Sequence, residues 1–170
     1  MNMTIGIIGV GHLASYMVDG LMKADNPPTI ILSPRGADNS ARLAAKYDLR
    51  IANSNDAVVE GSDAVLLATR PGDLLDTITG LPWRDGQTAI SVAAGVALSG
   101  LQAAVSPATA VRTLPITAAK ICESPTCLFP ENDVARAVFD LLGSVHVFDD
   151  EETYELASIQ GVIFSVFHAG

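Results

Sequence analysis

The chain has 170 residues, of which 49% are hydrophobic and 17% are charged, and its formal net charge is −9. This composition excludes a disordered chain and predicts an extensively buried core, with enough residues for one domain and part of another. The acidic balance argues against nucleic acid and anionic membranes as partners, although local groups can still bind an anionic cofactor.

Short apolar runs alternate with helical patterns through most of the chain. The predicted strands are Thr4–Ile8, Thr29–Ser33, Ala64–Thr69, Thr88–Val92, Ala110–Leu114, Thr126–Leu128 and Val145–Phe148. The predicted helices between them are His12–Ala24, Asn39–Tyr47, Asn55–Glu60, Leu74–Thr79, Leu98–Val105 and Val134–Leu142. Strands rich in Ile, Val and Leu with intervening helices indicate a sheet covered on both faces. We therefore predict an α/β fold with a doubly wound, mostly parallel sheet.

The last segment has a different pattern. Glu151–Ala169 predicts one long helix, whose acidic first turn suits the positive end of the helix dipole. Its second half, Ile159–Phe167, is apolar almost all round, and such a helix must be buried. The pattern therefore predicts that another chain or a following segment covers this helix.

A glycine-rich turn follows the first strand and opens the first helix. In Gly9-x-Gly11-x-x-Ala14, the first glycine permits a tight turn, the second lets the backbone approach a pyrophosphate, and the alanine lets helix and strand pack closely. The free N–H groups and the dipole of the helix then favour phosphate groups. This context predicts a nucleotide-binding turn, and a purely structural connection is the alternative.

The end of the second strand bears on which nucleotide binds. A site that prefers NAD usually carries Asp or Glu there, about 20 residues after the glycine turn, to bind the ribose 2′-hydroxyl. This chain has Ser33-Pro34-Arg35 and no carboxylate before Asp38. Ser33 can donate to a phosphate and Arg35 can pair with it through two hydrogen bonds, which favours NADP. An ordinary solvated loop arginine is the alternative.

Four stretches share their order and spacing with one known family, the pyrroline-5-carboxylate reductases. The first stretch, Gly6-Ile-Ile-Gly9-Val-Gly11-His-Leu-Ala14, resembles the family's first turn, and the second, Ala68-Thr69-Arg70-Pro71-Gly72, resembles its Ala-Val-Lys-Pro. The third, Ile90-Ser91-Val92-Ala93-Ala94-Gly95-Val96, resembles its Ser-Ile-Ala-Ala-Gly-Val. The fourth, Val111-Arg112-Thr113-Leu114-Pro115, resembles its Val-Arg-x-Met-Pro. The resemblance extends along essentially all of the chain.

The resemblance implies a Rossmann domain that binds NADP over residues 1–150. It also implies that residues 151–170 begin an all-helical domain, which forms a homodimer and is otherwise missing here; the family continues for roughly another hundred residues. The residues that it places at the cofactor are Gly9, Gly11, His12, Leu13, Ala14, Ser33, Arg35, Asn55, Ala68, Thr69, Arg70, Pro71, Ala93, Ala94 and Gly95. The last three suit the nicotinamide end, because small residues let the ring lie against backbone.

The sequence also departs from the family pattern. The family has Asn at the positions of His12 and Ile116, and it has Ser-Gly-Ser-Gly-Pro-Ala in the region of Ser158-Ile-Gln-Gly161-Val-Ile-Phe164. Ser158 and Gln160 are the polar candidates in the helix that the resemblance turns towards the nicotinamide, and they are the candidate substrate contacts together with Pro115. Ordinary polar positions on a helix are the alternative for Ser158 and Gln160. These departures predict an altered small-molecule substrate.

We predict an NADP-dependent oxidoreductase that transfers a hydride between NADP(H) and a cyclic imine or a related small substrate. A cyclic imine is readily protonated and needs little acid–base help, and the sequence assigns no catalytic residue. One alternative is a non-catalytic NADP-binding module that docks to a partner through its C-terminal helix. Another alternative is a deazaflavin-dependent NADP reductase. The Ala-Ala-Gly stretch and the long final helix argue against it.

The cysteines and the N-terminus give weaker information. Cys122 and Cys127 stand five residues apart without a histidine cluster, which indicates two buried thiols and no metal site. No apolar run reaches the roughly 20 residues of a membrane span, and the N-terminus lacks the features of a signal peptide. A cytoplasmic location is therefore expected.

Overall fold

The computed structural model describes residues 3–168, with side chains up to residue 159. Its strands are β1 (Thr4–Ile8), β2 (Thr29–Leu32), β3 (Arg50–Ile51), β4 (Ala64–Leu67), β5 (Thr88–Ser91), β6 (Thr109–Leu114), β7 (Thr126–Phe129) and β8 (Val145–Val147). Its helices are α1 (His12–Leu21), α2 (Ala37–Tyr47), α3 (Asn55–Glu60), α4 (Pro71–Ile78), α5 (Leu98–Val105), α6 (Asp133–Asp140) and α7 (Glu151–His168), with a 3-10 helix at Thr117–Ile121.

The strands form one sheet in the order β3-β2-β1-β4-β5-β6-β7-β8. Every neighbouring pair is parallel except β6 and β7, so the predicted mostly parallel, doubly wound sheet is confirmed. The chain moves outward from β1 through β2 and β3, and then returns to place β4 on the other side of β1. Such a switch point leaves a crevice at the carboxyl ends of the strands, where doubly wound sheets bind ligands.

The two faces of the sheet carry separate cores. Because side chains alternate along a strand, Leu66 of β4 packs into one core and Val65 and Leu67 pack into the other. Helix α1 covers the first core through Met17 and Leu21 among others. All four residues of β4 are completely buried, as expected for a strand with helices on both faces.

The structure corrects several predicted boundaries. Helix α4 begins at Pro71 and not at Leu74, because proline is well suited to the first position of a helix, where no backbone donor is needed. Strand β3 was not predicted because it has two residues, both exposed, and shows no apolar run. The 3-10 helix Thr117–Ile121 was also not predicted.

Helix α7 confirms the predicted long C-terminal helix, and its first turns are attached to the sheet. Tyr154 is buried and lies between the rings of Phe129 and Phe148, with centroid distances of 6.2 Å to both. Leu156 and Ile159, which follow on the same helix, are 61% and 53% exposed. Within residues 3–168, no helix combines the length and the apolar character needed to cross a membrane.

Candidate functional site

The turn after β1 requires glycine at its first position for reasons internal to the fold. Gly9 has a φ of +91°, which side-chain-bearing residues rarely adopt. A Cβ at Gly9 would also lie 2.7 Å from the backbone nitrogen of Thr69 and 2.8 Å from the carbonyl carbon of Ala68. The turn therefore packs directly against the end of β4.

Gly11 has no such internal reason to be glycine. Its φ of −87° and ψ of −165° are open to any residue, and a Cβ there would meet nothing within 4 Å. Helix α1 begins at the next residue, and no described side chain caps its first turn. An open backbone at an uncapped helix N-terminus is the arrangement that lets an anionic group approach closely.

Three clefts adjoin this turn along the carboxyl ends of the strands. A central cleft of about 400 Å³ is lined by Gly9, Val10, Gly11, Arg35, Gly36, Ala68, Thr69, Arg70 and Asp73. A polar cleft of about 350 Å³ shares two of these residues and is lined by Arg35, Asn55, Asp73, Asp76 and Thr77. An apolar cleft of about 310 Å³ shares four and is lined by Gly11, His12, Leu13, Ala14, Ala68, Thr69, Arg70, Pro71, Val92, Ala93, Ala94 and Leu114. Because neighbouring clefts share walls, they form one groove across the switch point.

The groove contains unpaired positive charge on an otherwise acidic protein. Arg35 and Arg70 line its central cleft, and neither guanidinium forms a hydrogen bond or ion pair with any residue whose side chain the structure describes. Asp73, in the first turn of α4, contributes one carboxylate to the same cleft. Two unpaired arginines beside an uncapped helix N-terminus are suited to an anionic ligand.

The groove brings together most of the residues predicted to bind the cofactor. They come from the segments that follow five strands, β1 to β5, and they are Gly9, Gly11, His12, Leu13, Ala14, Arg35, Asn55, Ala68, Thr69, Arg70, Pro71, Ala93 and Ala94. Gly95 is exposed and does not line any of the three clefts.

Ser33 does not fit its predicted role as a phosphate donor. The residue is completely buried, and its hydroxyl oxygen accepts a hydrogen bond of 3.1 Å from the backbone N–H of Gly9. The same hydroxyl lies 3.5 Å from the carbonyl oxygen of Arg35, to which it donates. Ser33 therefore connects the ends of β1 and β2 and supports the turn from behind.

The predicted substrate contacts lie outside the three clefts or outside the described side chains. Pro115 is buried after β6, and Ser158 is buried on α7, one helical turn after Tyr154. Gln160 belongs to the part of α7 whose side chains are not described. The described residues therefore do not assemble a substrate pocket from these three positions.

Several residues of the groove were not predicted from the sequence. They are Val10, Gly36, Asp73, Asp76, Thr77, Val92 and Leu114. Val92 and Leu114 could have been found, because both stand at the ends of predicted strands, where a doubly wound sheet binds its ligand. Asp76 and Thr77 could not have been found in this way, because they lie at the groove only as a result of the direction in which α4 runs.

Arg112 forms a buried connection between the sheet and α7. The residue is 1% exposed, its Nη1 donates to Glu151 Oε1 at 2.6 Å, and its Nη2 donates to Glu155. Its guanidinium also lies over the ring of Tyr154, 4.6 Å from the centroid. Burial raises the pKa of Tyr154 to about 12, although the positive charge of Arg112 opposes the shift. The first turns of α7 are therefore held at the carboxyl end of β6.

The cysteines are more accessible than the sequence predicted. Cys122 and Cys127 are both free and half-buried, and burial raises the pKa of the Cys127 thiol. Among the described residues no group of three or more His, Cys, Asp or Glu side chains is placed to hold a metal ion.

Comparison with known proteins places this chain in a family. A family model described as "NADP oxidoreductase coenzyme F420-dependent" matches residues 4–95. The chain is 30% identical to a pyrroline-5-carboxylate reductase of Methanosarcina acetivorans over 86% of its own length and 56% of that protein. It is 26% identical to pyrroline-5-carboxylate reductase 1 of Bacillus spizizenii, over 92% of its own length and 57% of that protein.

A solved structure gives the same result. The 1-pyrroline-5-carboxylate reductase of Streptococcus pyogenes superposes with a TM-score of 0.78 at 28% identity, covering 98% of this chain and 67% of that one. The chain thus spans little more than half the length of the curated relatives that it matches. The resemblance seen in the sequence is confirmed, because the chain is similar to pyrroline-5-carboxylate reductases in sequence and in structure. The chain belongs to the family described as "NADP oxidoreductase coenzyme F420-dependent", a family of NAD(P)-dependent oxidoreductases.

Proposed function

We propose that this protein is an NADP-dependent reductase that acts on the C=N bond of a cyclic imine or a related small substrate. The observation that carries the proposal is Gly11, a glycine that the fold does not need, at the centre of a groove lined by two unpaired arginines. The names of the relatives support the reaction type. The dinucleotide, when bound, supplies the hydride, and the chain supplies its position.

The three clefts suit the parts of a dinucleotide. The N-terminus of α1, beside Gly11, binds the pyrophosphate through backbone N–H groups. The polar cleft with Asn55 receives the adenosine. The apolar cleft receives the nicotinamide against Ala93 and Ala94, because small side chains let a flat ring lie close to backbone.

The preference for NADP rests on Arg35. Its guanidinium is unpaired among the described residues and stands between the central and polar clefts, where an adenosine ribose and its 2′-phosphate fit. A planar guanidinium can bind a phosphate through two parallel hydrogen bonds. Ser33 contributes indirectly, because its hydroxyl supports the turn after β1.

The groove needs little acid–base machinery for this reaction. An imine nitrogen is readily protonated before hydride transfer, so positioning and exclusion of water account for most of what the protein must do. Pro115, Ser158 and Gln160 remain the proposed substrate contacts. Ser158 would reach a substrate only if α7 moved, since its hydroxyl is buried.

We further propose that residues 151–170 are the first helix of a helical domain that forms a homodimer. Leu156 and Ile159 lie three residues apart on α7, so both large apolar side chains project from one face of the helix, and both are more than half exposed. Covering them in a second copy would remove apolar area from water. A non-catalytic NADP-binding module that docks through the same helix is the alternative, because the exposed face fits either.

The test is consumption of NADPH, followed by its absorbance, with a panel of cyclic imines with and without a carboxylate. We expect turnover by the wild-type protein and none by Gly11→Val. If wild type binds NADPH but reduces no imine, the docking-module alternative is favoured. If it binds no dinucleotide, the proposed function is wrong. Oxidation of NADPH by a deazaflavin instead would favour the reaction named in the description of the family model.

A further inference from the structure

The loop between β5 and α5 forms one wall of the apolar cleft. Its first half, residues 92–94, lines that cleft, and the loop turns at Gly95, whose φ is +74°. Helix α5 begins at Leu98, and its N-cap residue, Ala97, offers no side-chain acceptor for the first turn. The position of this wall therefore depends on how the start of α5 is held.

The start of α5 is held by a side chain from α7. The backbone N–H of Leu98 donates to Glu151 Oε1 at 2.7 Å. Among residues 94–98, Leu98 is the only one whose backbone N–H donates a hydrogen bond to a group that the structure describes. A carboxylate at this position also suits the positive end of the dipole of α5. Glu151 therefore serves as the cap that α5 lacks in its own sequence.

The same carboxylate oxygen is bound to the sheet. Arg112 Nη1 donates to Glu151 Oε1 at 2.6 Å, and Arg112 lies beside Ser91, the last residue of β5, in the register of β5 and β6. Glu155, one turn further along α7, pairs with the other Nη of Arg112 and forms no described hydrogen bond with residues 92–98. Glu151 thus joins α7, α5 and the sheet, whereas Glu155 joins only α7 and the sheet.

We propose that Glu151 is a positioning residue: it ties the first turn of α7 to the start of α5 and so fixes the loop wall of the apolar cleft. Its effect on a ligand rests on the proposed function, in which the nicotinamide lies against Ala93 and Ala94. The attachment of α7 and the shape of the cleft then depend on each other, although Glu151 itself lines none of the three clefts.

The first test is hydrogen exchange over residues 92–101 without ligand, which reports the loop directly. Glu151→Ala removes the acceptor, and we expect exchange at the N–H of Leu98 to become about tenfold faster or more, because the hydrogen bond that protects it is lost. Glu151→Gln keeps an oxygen in the same place without the charge, so its exchange should stay close to that of wild type.

The second test is calorimetric titration of the same variants with NADP and with 2′,5′-ADP, a fragment without the nicotinamide half. Glu151→Ala should weaken NADP about three- to tenfold and leave 2′,5′-ADP unchanged, because only the apolar cleft is altered. Glu151→Gln should restore the affinity for NADP.

Two further substitutions separate this tie from the general attachment of α7. Glu155→Ala breaks the neighbouring ion pair with Arg112 and leaves the bond to Leu98, so exchange should rise in α7 but not in the loop, and both affinities should stay at wild-type values. Leu98→Pro removes the donor itself, at a first helical position that suits proline, and should reproduce Glu151→Ala. Leu98→Ala keeps the N–H and controls for the lost side chain.

The inference is overturned if Glu151→Ala leaves exchange in the loop unchanged, if Glu155→Ala loosens the loop equally, or if Glu151→Gln fails to restore it. A loosened loop with wild-type affinity for NADP also overturns it, because the wall then has no effect on the ligand, and the proposed function stands. If wild type binds no dinucleotide, the proposed function is wrong, and the exchange data still decide whether Glu151 fixes the loop.

Discussion

At the scale of single residues, Ser33 and Arg35 show what a sequence motif leaves open. Both are polar residues at the end of β2, and both suit a phosphate by chemistry. The structure buries Ser33, where its hydroxyl bonds to Gly9, and leaves the guanidinium of Arg35 at the groove. The sequence predicted the chemical character of this strand end, but the direction of each side chain depends on how β2 packs beside β1.

Arg35→Ala tests the proposed preference for NADP. We expect the dissociation constant of NADP to rise about 10- to 100-fold, because a charge-assisted contact with the 2′-phosphate is lost, and that of NAD to stay unchanged. Titration of both cofactors checks this. The matched control is Arg136→Ala on α6, which pairs with Glu131 at the surface and should alter neither affinity. Equal wild-type affinities for NAD and NADP would contradict the preference.

Gly11→Val tests whether the open backbone of the turn serves a ligand. The variant should fold, since a Cβ there meets nothing within 4 Å, but it should lose dinucleotide binding because the side chain fills the place of the pyrophosphate. Circular dichroism and titration report the two properties separately. Gly100→Val on α5 is the control, because a Cβ there meets only the Leu75 side chain at ordinary contact distances, outside the groove. Wild-type affinity in Gly11→Val would show that the turn is merely structural.

Asp19 gives a stability prediction with a defined pH dependence. Burial alone would raise the pKa of this carboxyl on α1, but hydrogen bonds from Lys46 at 2.9 Å and Tyr47 at 2.7 Å lower it below 3.8. Because the folded-state pKa is the lower one, the stabilisation is complete above the unfolded pKa and is lost as the pH falls through the folded one.

Asp19→Asn should therefore lower the free energy of unfolding by about 1–2 kcal/mol at neutral pH, and by progressively less as the pH falls below 4. Urea unfolding at several pH values measures the difference. The exposed Asp25→Asn, near the end of the same helix, serves as the control and should show no such trend. A loss of stability that is independent of pH would contradict the role of the charge.

At the scale of elements, the sequence predicted the strands well where they are buried. Thr4–Ile8 begins and ends as predicted, because a run of apolar β-formers is bounded by the glycine turn. Arg50–Ile51 was missed because its two residues pair with β2 mainly through backbone groups, and its side chains are exposed. Hydrophobic periodicity indicates which side chains are buried, so it does not identify elements that are held by backbone pairing alone.

The attachment of α7 depends on Arg112, which can be tested. Arg112→Met removes both ion pairs and the stacking on Tyr154, so we expect a loss of about 1–3 kcal/mol; Glu151 and Glu155 are partly exposed and can be hydrated in the variant. Hydrogen exchange in the first turns of α7 should also become faster. Arg136→Met, which breaks the surface pair with Glu131, should cost under about 1 kcal/mol. Unchanged exchange in Arg112→Met would show that aromatic packing alone holds the helix.

At the scale of the whole molecule, the groove combines short segments that are far apart in the sequence. The glycine turn predicted its centre, and the ends of β2, β4 and β5 predicted most of its walls. Asp73, Asp76 and Thr77 were missed because their place depends on the angle at which α4 leaves β4. Tertiary packing sets such angles, and a single sequence does not encode them in any local pattern.

The exposed face of α7 predicts association of whole chains. We expect a dimer in light scattering, because the side chains of Leu156 and Ile159 would be removed from water in a dimer interface. The free energy gained by burying two such side chains is a substantial fraction of a typical total stability of roughly 5–15 kcal/mol. Leu156→Glu with Ile159→Glu should dissociate it. Ile121→Glu, at an equally exposed position elsewhere, should not. A monodisperse wild-type monomer with full turnover of an imine would contradict both the dimer and the need for a helical domain.

The two glycines of the first turn should also differ in the substitutions that related sequences accept. Gly9 is required by its positive φ and by its contact with the end of β4, so any descendant that keeps this fold must keep it. A Cβ at position 11 would meet no described atom within 4 Å, so the fold itself does not require glycine there and a bound ligand is the remaining constraint. In lineages that have lost dinucleotide binding, we therefore expect position 11 to accept larger residues while position 9 stays glycine, so that substitution at position 11 alone marks the loss of the ligand.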